Sequence, residues 1–139
     1  MTSLEASAAS APAVSAPVGT LASVSLDCPD PATLADFYAK LLGMRRVFET
    51  KDGSLVALSD GTHVVTMMRI ENHVAPTWPE PGQLQQLHLD VAVSDLPTAV
   101  AGAVSLGAVE AGHQPKPDAW RVLIDPAGHP FCLTTVRPG

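Results

Sequence analysis

The chain has 139 residues, which is enough for one hydrophobic core and too few for two ordinary domains. Hydrophobic residues make up 46% of the sequence, a composition that excludes a mainly disordered protein. The formal net charge is −6 and no basic stripe offsets it, which argues against nucleic acid as a partner.

The sequence carries no signal for export, membrane insertion or a disulfide framework. Residues 1–18 are rich in Ala, Ser and Pro but lack a basic start and a continuous apolar stretch, so we interpret them as a flexible tail rather than a signal peptide. No stretch has the length of a membrane span. Cys28 and Cys132 are far apart and form no C-x-x-C pair, which favours a reducing, cytoplasmic location.

The first half of the chain predicts a strand, a helix and three further strands. Residues 21–28, LASVSLDC, alternate in polarity as a half-buried strand does, with Ser23 and Ser25 on its polar face. In the helix that follows, Asp30 can cap the first turn and Gly43 can end the last. Strand candidates then lie in MRRVFET, SLVALSD and HVVTMMRI, separated by the turns KDG and DGT.

The second half repeats this order after a proline-rich segment over 71–86, which we predict to be a linker or a binding loop. A strand in LHLDVAV, a helix in SDLPTAVAGAVSLG and strands in AVEAGH, AWRVLID and HPFCLTTV follow. The helix-capping aspartates Asp30 and Asp95 are 65 positions apart. We therefore predict two βαβββ modules of nearly equal length, over 19–70 and 87–137.

A βαβββ module cannot cover both faces of its sheet, because its helix packs on only one of them. The fold class predicted is therefore α+β, a single domain over 19–139 in which two modules curl into a half-open barrel around a ligand cleft. The cleft residues are expected on the strand faces opposite the helices, with Trp78 of the linker nearby: Ser23, Ser25, Met68 (or Met67), His88, Asp90, Cys132 and Thr134.

His88 and Asp90 share one strand face, so both side chains should project into the cleft. Such a pair suits general acid–base catalysis. It also suits a buried pair that merely satisfies its own hydrogen bonds, which we favour. Cys132 has no cationic neighbour in the sequence that would make it a nucleophile.

Three stretches carry a resemblance to a known family: LDCPDPATLADFYAKLLGM, HLDVAVSDLPTAV with SLGA, and WRVLIDPAGHPFCL. Over residues 21–136 the chain resembles the vicinal oxygen chelate superfamily, also called the glyoxalase/bleomycin resistance/dioxygenase group. The resemblance implies the half-open barrel of two βαβββ modules. It implies no single activity, because this fold hosts lyases, isomerases, dioxygenases, thiol transferases and antibiotic-sequestering proteins.

Metal-dependent members of that family place His, Gln or Glu ligands on the first and last strands of each module. The matching positions here hold Ser23, Met68 (or Met67), His88 and Cys132, so only the histidine is retained. A hydroxyl and a thioether are poor ligands for such divalent ions, and we expect no metal and no other cofactor. Zinc held by His88, Cys132 and Asp90 is the alternative, although side chains two apart on one strand rarely converge on one ion.

The function favoured by these observations is metal-independent binding of a small, partly aromatic molecule. In this superfamily that implies sequestration of an antibiotic or a metabolite, by a homodimer as is common among relatives of the fold. The alternative is a lyase, isomerase or dioxygenase that uses an atypical metal site or the pair of His88 and Asp90. A scaffold that binds no ligand is a third class.

Overall fold

The computed structural model describes residues 17–136, so the predicted tail falls almost entirely outside them. The first module consists of β1 (Val24–Cys28), α1 (Pro31–Leu42), β2 (Arg45–Glu49), β3 (Leu55–Ser59) and β4 (Val64–Arg69). The second module consists of β5 (Asp90–Ala92), α2 (Leu96–Ser105), β6 (Val109–Glu110), β7 (Trp120–Ile124) and β8 (Pro130–Thr134). The predicted α+β fold of two βαβββ modules is confirmed.

Both helices begin at the predicted capping residues. Asp30 and Asp95 each accept a hydrogen bond from the backbone N–H three residues further on. Gly43 ends α1 in the left-handed conformation, with a φ of 67°, while Leu106 caps α2 and Gly107 follows with a φ of 119°. Within the described part of the chain, no helix is long and apolar enough to cross a membrane.

The strands form two four-stranded sheets of identical design. Their orders are β1-β4-β3-β2 and β5-β8-β7-β6. In each sheet the first and last strands of the module pair in parallel, and the remaining pairs are antiparallel. Between residues 17 and 136 no strand pairing joins the two sheets, so they do not close into a barrel.

A single buried core joins the two modules through the inner faces of their sheets. It includes Val56, Leu58 and Met67 from the first sheet and Leu123, Phe131 and Leu133 from the second. Helix α1 connects these groups, because the ring of Phe131 packs edge-on against Phe37 and Tyr38 at centroid distances of 5.8 and 6.2 Å. Since side chains alternate along a strand, each sheet turns its other set of residues away from this core. We call these two surfaces the outer faces.

The turn between β7 and β8 fastens the second module to the first. Asp125 is only 4% exposed and accepts hydrogen bonds from the Tyr38 hydroxyl at 2.6 Å and from the backbone N–H groups of Ala127 and His129 at 2.9 Å. The His129 ring donates from Nε2 to the carbonyl of Asp27 at the end of β1. The predicted DPAG turn is thus also the junction between the modules.

Candidate functional site

The outer face of the second sheet carries a cavity of about 430 Å³. Aromatic and aliphatic side chains form most of its wall, among them Trp78, Trp120, Val122 and Val136. The polar groups that line it come from Gln85, His88, Asp90, Cys132 and Thr134. Such a mainly apolar pocket with a few convergent polar groups is typical of small-molecule sites.

Two rows of directly opposed residues build the floor of the cavity. The first row crosses from β5 to β8 to β7 through Asp90, Cys132 and Val122. The second row joins Thr134 on β8 to Trp120 on β7. Directly opposed residues share one face of a sheet, so strand pairing holds both rows towards the cavity.

His88 and Asp90 form the predicted pair at the polar end of the cavity. His88 Nε2 lies 3.1 Å from Asp90 Oδ1. The expectation that this pair is buried is wrong, since 41% of the His88 side chain and 57% of the Asp90 side chain are exposed. The physical reason is that β5 is an edge strand and the pair lines an open cavity on its outer face.

Cys132 lies beside this pair as a neutral thiol. Burial, followed by the negative charge of Asp90 and a hydrogen bond to it, raises the pKa of the Cys132 thiol to about 11. Because the thiolate is the nucleophilic form, the thiol is poorly reactive near neutral pH. The sequence reasoning, which found no activating cation, leads to the same conclusion.

His88, Asp90 and Cys132 converge more closely than the sequence suggested. Each offers one ligand atom, and these atoms all lie within 4.8 Å of one another. Residues two apart on one strand rarely converge on one ion, yet the ligand atoms of these residues lie close together at this position. The His88 ring leans onto Asp90, and the register of the parallel pair places Cys132 directly opposite that carboxylate.

The first-module residues expected in the cleft lie on the outer face of the other sheet. The Ser23 hydroxyl accepts a hydrogen bond from the Thr66 hydroxyl at 3.1 Å, and Thr66 stands opposite Ser25. Met68 stands opposite Asp27, whereas Met67 is fully buried in the core. None of the described residues of the first module lines this cavity. Ser23 does line a separate cavity, of about 520 Å³, together with Asp90, the hydrogen-bond partner of His88.

Sequence reasoning missed two contributors to this region. Trp120, which the sequence analysis did not assign to the cleft, lines the cavity together with Trp78. The signal that could have revealed it is the alternation of β7, which puts Trp120 and Val122 on one face and Leu123 on the other. The position of Thr66 on the outer face of the first sheet follows from the same alternation, because its neighbour Met67 lies in the core.

Comparison with known proteins relates this architecture to a family. A family model described as a glyoxalase-like domain matches residues 23–134. A search of curated proteins finds no match.

Solved structures resemble the chain over most of its length. The fosfomycin resistance protein FosX from Mesorhizobium loti has a TM-score of 0.65 at 15% identity, covering 86% of this chain and 94% of that one. A glyoxalase-related enzyme from Fulvimarina pelagi has a TM-score of 0.60 at 21% identity, covering 84% and 88%. A mutant FosX from Listeria monocytogenes, in complex with Mn(II) and a dihydroxypropylphosphonic acid, has a TM-score of 0.63 at 11% identity, covering 86% and 92%.

At such identities the structural likeness shows the fold alone. The family match, in contrast, spans both modules from β1 to β8. The chain belongs to the glyoxalase-like domain family, within the vicinal oxygen chelate superfamily.

Proposed function

We propose that the protein binds a small molecule with an aromatic ring in the cavity of the second sheet. The observation that carries this proposal is that both tryptophans of the chain, Trp78 and Trp120, line the same cavity of about 430 Å³. Aromatic rings stack favourably on such walls, and a cavity of this size encloses a drug-sized molecule. The exposed pair of His88 and Asp90 supplies polar contacts that orient the ligand.

The lining favours an aromatic ligand over a phosphonic acid such as the one in complex with the mutant FosX from Listeria monocytogenes. The described residues around the cavity include no lysine and no arginine. Anionic groups such as phosphonates are usually held by these cations or by a metal. The proposed role is therefore sequestration of an aromatic antibiotic or metabolite, through apolar enclosure that requires no metal. Both cysteines are free, in keeping with the proposed cytoplasmic location.

A homodimer completes the cleft in this proposal. Among residues 17–136, those that line the cavity come from the linker and the second module, and the cavity is open on the side away from the core. The first sheet, which has the same strand order, presents on its outer face a row made of Ser25, Thr66, Ala57 and Phe48. Phe48 is 57% exposed, as an interface residue is before association. In a two-fold dimer, each first sheet covers the cavity of the other chain.

Acetophenone, a neutral aromatic ketone, is a suitable probe of the cavity. We expect it to quench the intrinsic fluorescence of the wild-type protein, because both tryptophans line the cavity. Trp120→Ala should weaken its binding roughly tenfold, about 1.4 kcal/mol, through loss of the stacking surface. Val104→Ala, at a 46% exposed position on α2, should leave the affinity unchanged. Calorimetry in the presence of EDTA compares the variants, and equal affinity of Trp120→Ala and wild type would contradict the proposal.

A second candidate, proton transfer on a bound carbonyl compound, is favoured by the hydrogen bond between His88 and Asp90 at the polar end of the cavity. An isomerase or lyase would use this pair as general base. In D₂O, the wild type should then speed deuterium exchange at the acetophenone methyl group about a hundredfold, as followed by NMR. His88→Gln should abolish the acceleration while binding persists. Exchange at the buffer rate would leave binding as the function.

A further inference from the structure

We infer that Gln85 selects, for the cavity of the second sheet, an aromatic ligand that carries an N–H or O–H donor. The inference rests on the proposed function and deepens it, because it assigns a chemical class to the ligand. Gln85 lines the cavity, and its side-chain oxygen Oε1 is buried and accepts no hydrogen bond from residues 17–136. A buried carbonyl oxygen without a donor is costly, so a ligand that brings a donor binds more tightly than one that does not.

The linker holds Gln85 beside Trp78 on the cavity wall. An isolated β-bridge joins Thr77 to Leu84, and Trp78 and Gln85 are the residues that directly follow these two. The backbone N–H of Thr77 also donates to the Gln83 carbonyl at 2.7 Å. Because both side chains line one cavity, a ring stacked on the indole can present its polar edge to the carboxamide.

The loop between the bridged residues is closely packed, which keeps this arrangement in place. The Thr77 hydroxyl donates to the Glu80 carbonyl at 3.0 Å. Gly82 has a φ of 144°, and a Cβ at this position would lie 3.1 Å from the same hydroxyl oxygen. The wall that carries Gln85 is therefore fixed by its own backbone contacts, as a selective contact requires.

The other polar side chains that line the cavity have partners in the protein. His88 and Asp90 contact each other at 3.1 Å, and the Cys132 thiol hydrogen-bonds to Asp90. The Thr134 hydroxyl accepts from a backbone N–H at 3.0 Å. Among the described residues of the lining, Gln85 alone carries a buried side-chain oxygen or nitrogen without a partner. A ligand with a donor thus completes the hydrogen bonding of this wall.

A rotation of the carboxamide brings the oxygen to the ligand. The terminal side-chain bond of a glutamine turns over a broad energy profile, so Oε1 can move towards the cavity that the side chain already lines. An N–H or O–H on the ligand then donates to it. A ketone or ether oxygen has no hydrogen to donate and gains nothing from this contact.

Indole and benzofuran are the matched probes of this inference. They have nearly the same shape, and indole carries an N–H where benzofuran has an ether oxygen. In calorimetry with EDTA, we expect the wild type to bind indole roughly tenfold more tightly than benzofuran. Gln85→Leu should lose this preference and still bind benzofuran, because only the acceptor is removed. Gln86→Leu is the matched control, at an exposed position that does not line the cavity, and should keep the tenfold preference.

Two further variants keep the test open if Gln85→Leu does not fold. Gln85→Met has the same length without the oxygen and should also lose the preference, whereas Gln85→Glu keeps an acceptor and should retain it. Equal affinity of the wild type for the two probes, or a preference for indole that survives loss of the oxygen, would overturn the inference. If acetophenone and benzofuran bind in either case, the proposed function stands. If none of the three probes binds, both fail.

Discussion

Replacement of Asp125 by Ala is expected to lower the free energy of unfolding by about 3 to 5 kcal/mol. The buried carboxylate accepts from the Tyr38 hydroxyl and from the backbone N–H groups of Ala127 and His129. The substitution leaves all three donors without their acceptor at the junction between the modules, and each such loss costs about 1 to 3 kcal/mol. Burial, and then the charge of Asp125, raises the pKa of Tyr38, so this hydroxyl remains protonated, and therefore a donor, near neutral pH.

Urea denaturation of three variants tests this explanation. Tyr38→Phe removes one donor and keeps the carboxylate bonded to the backbone, so we expect a loss of about 1 kcal/mol. Asp118→Ala, at an exposed position two residues before β7, serves as the surface control and should change stability by less than about 0.5 kcal/mol. A stability of Asp125→Ala close to that of the Asp118 control would mean that the junction is held by apolar packing alone.

The same junction shows which parts of the fold the sequence could predict. DPAG was recognised as a turn because Asp, Pro and Gly have local backbone preferences that act within a few residues. The capping aspartates and the repeated element order were predicted for the same reason. The partner of Asp125 could not be predicted, because Tyr38 lies 87 positions away and its hydroxyl is brought there by the packing of α1.

In the candidate site, too, the sequence predicts local features and does not predict long-range contacts. Strand alternation correctly placed His88 and Asp90 on one face, since that pattern depends only on neighbouring residues. The approach of Cys132 depends on the register between β5 and β8, which spacing along the chain does not determine. Ser23, Ser25 and Met68 were expected around the same cleft, and alternation correctly predicts that they lie on the outer face of their sheet. Alternation does not predict which other surface this face contacts, because that depends on how the two sheets are arranged in space.

That arrangement leads to the second large effect, which concerns Phe48. In the proposed dimer, Phe48 on the outer face of the first sheet covers the cavity of the other chain, although it does not line the cavity of its own. Phe48→Ala is therefore expected to weaken acetophenone binding roughly tenfold, as Trp120→Ala does. Light scattering should give the wild type the mass of two chains. Unchanged binding by Phe48→Ala would remove this residue from the cleft.

Mixing the two damaged chains provides the decisive result. When equal amounts of the two variants are unfolded and refolded together, half of the dimers contain one chain of each variant. In these mixed dimers, the intact first sheet of the Trp120→Ala chain covers the intact cavity of the Phe48→Ala chain. About a quarter of all clefts should then regain wild-type affinity, visible in calorimetry as a tight class of sites. A mixture of Trp120→Ala with Trp78→Ala should recover nothing, because both changes damage the second-module wall and every cleft keeps one of them. Recovery in neither mixture, from proteins that are dimeric, would mean that each chain builds its binding site without its partner.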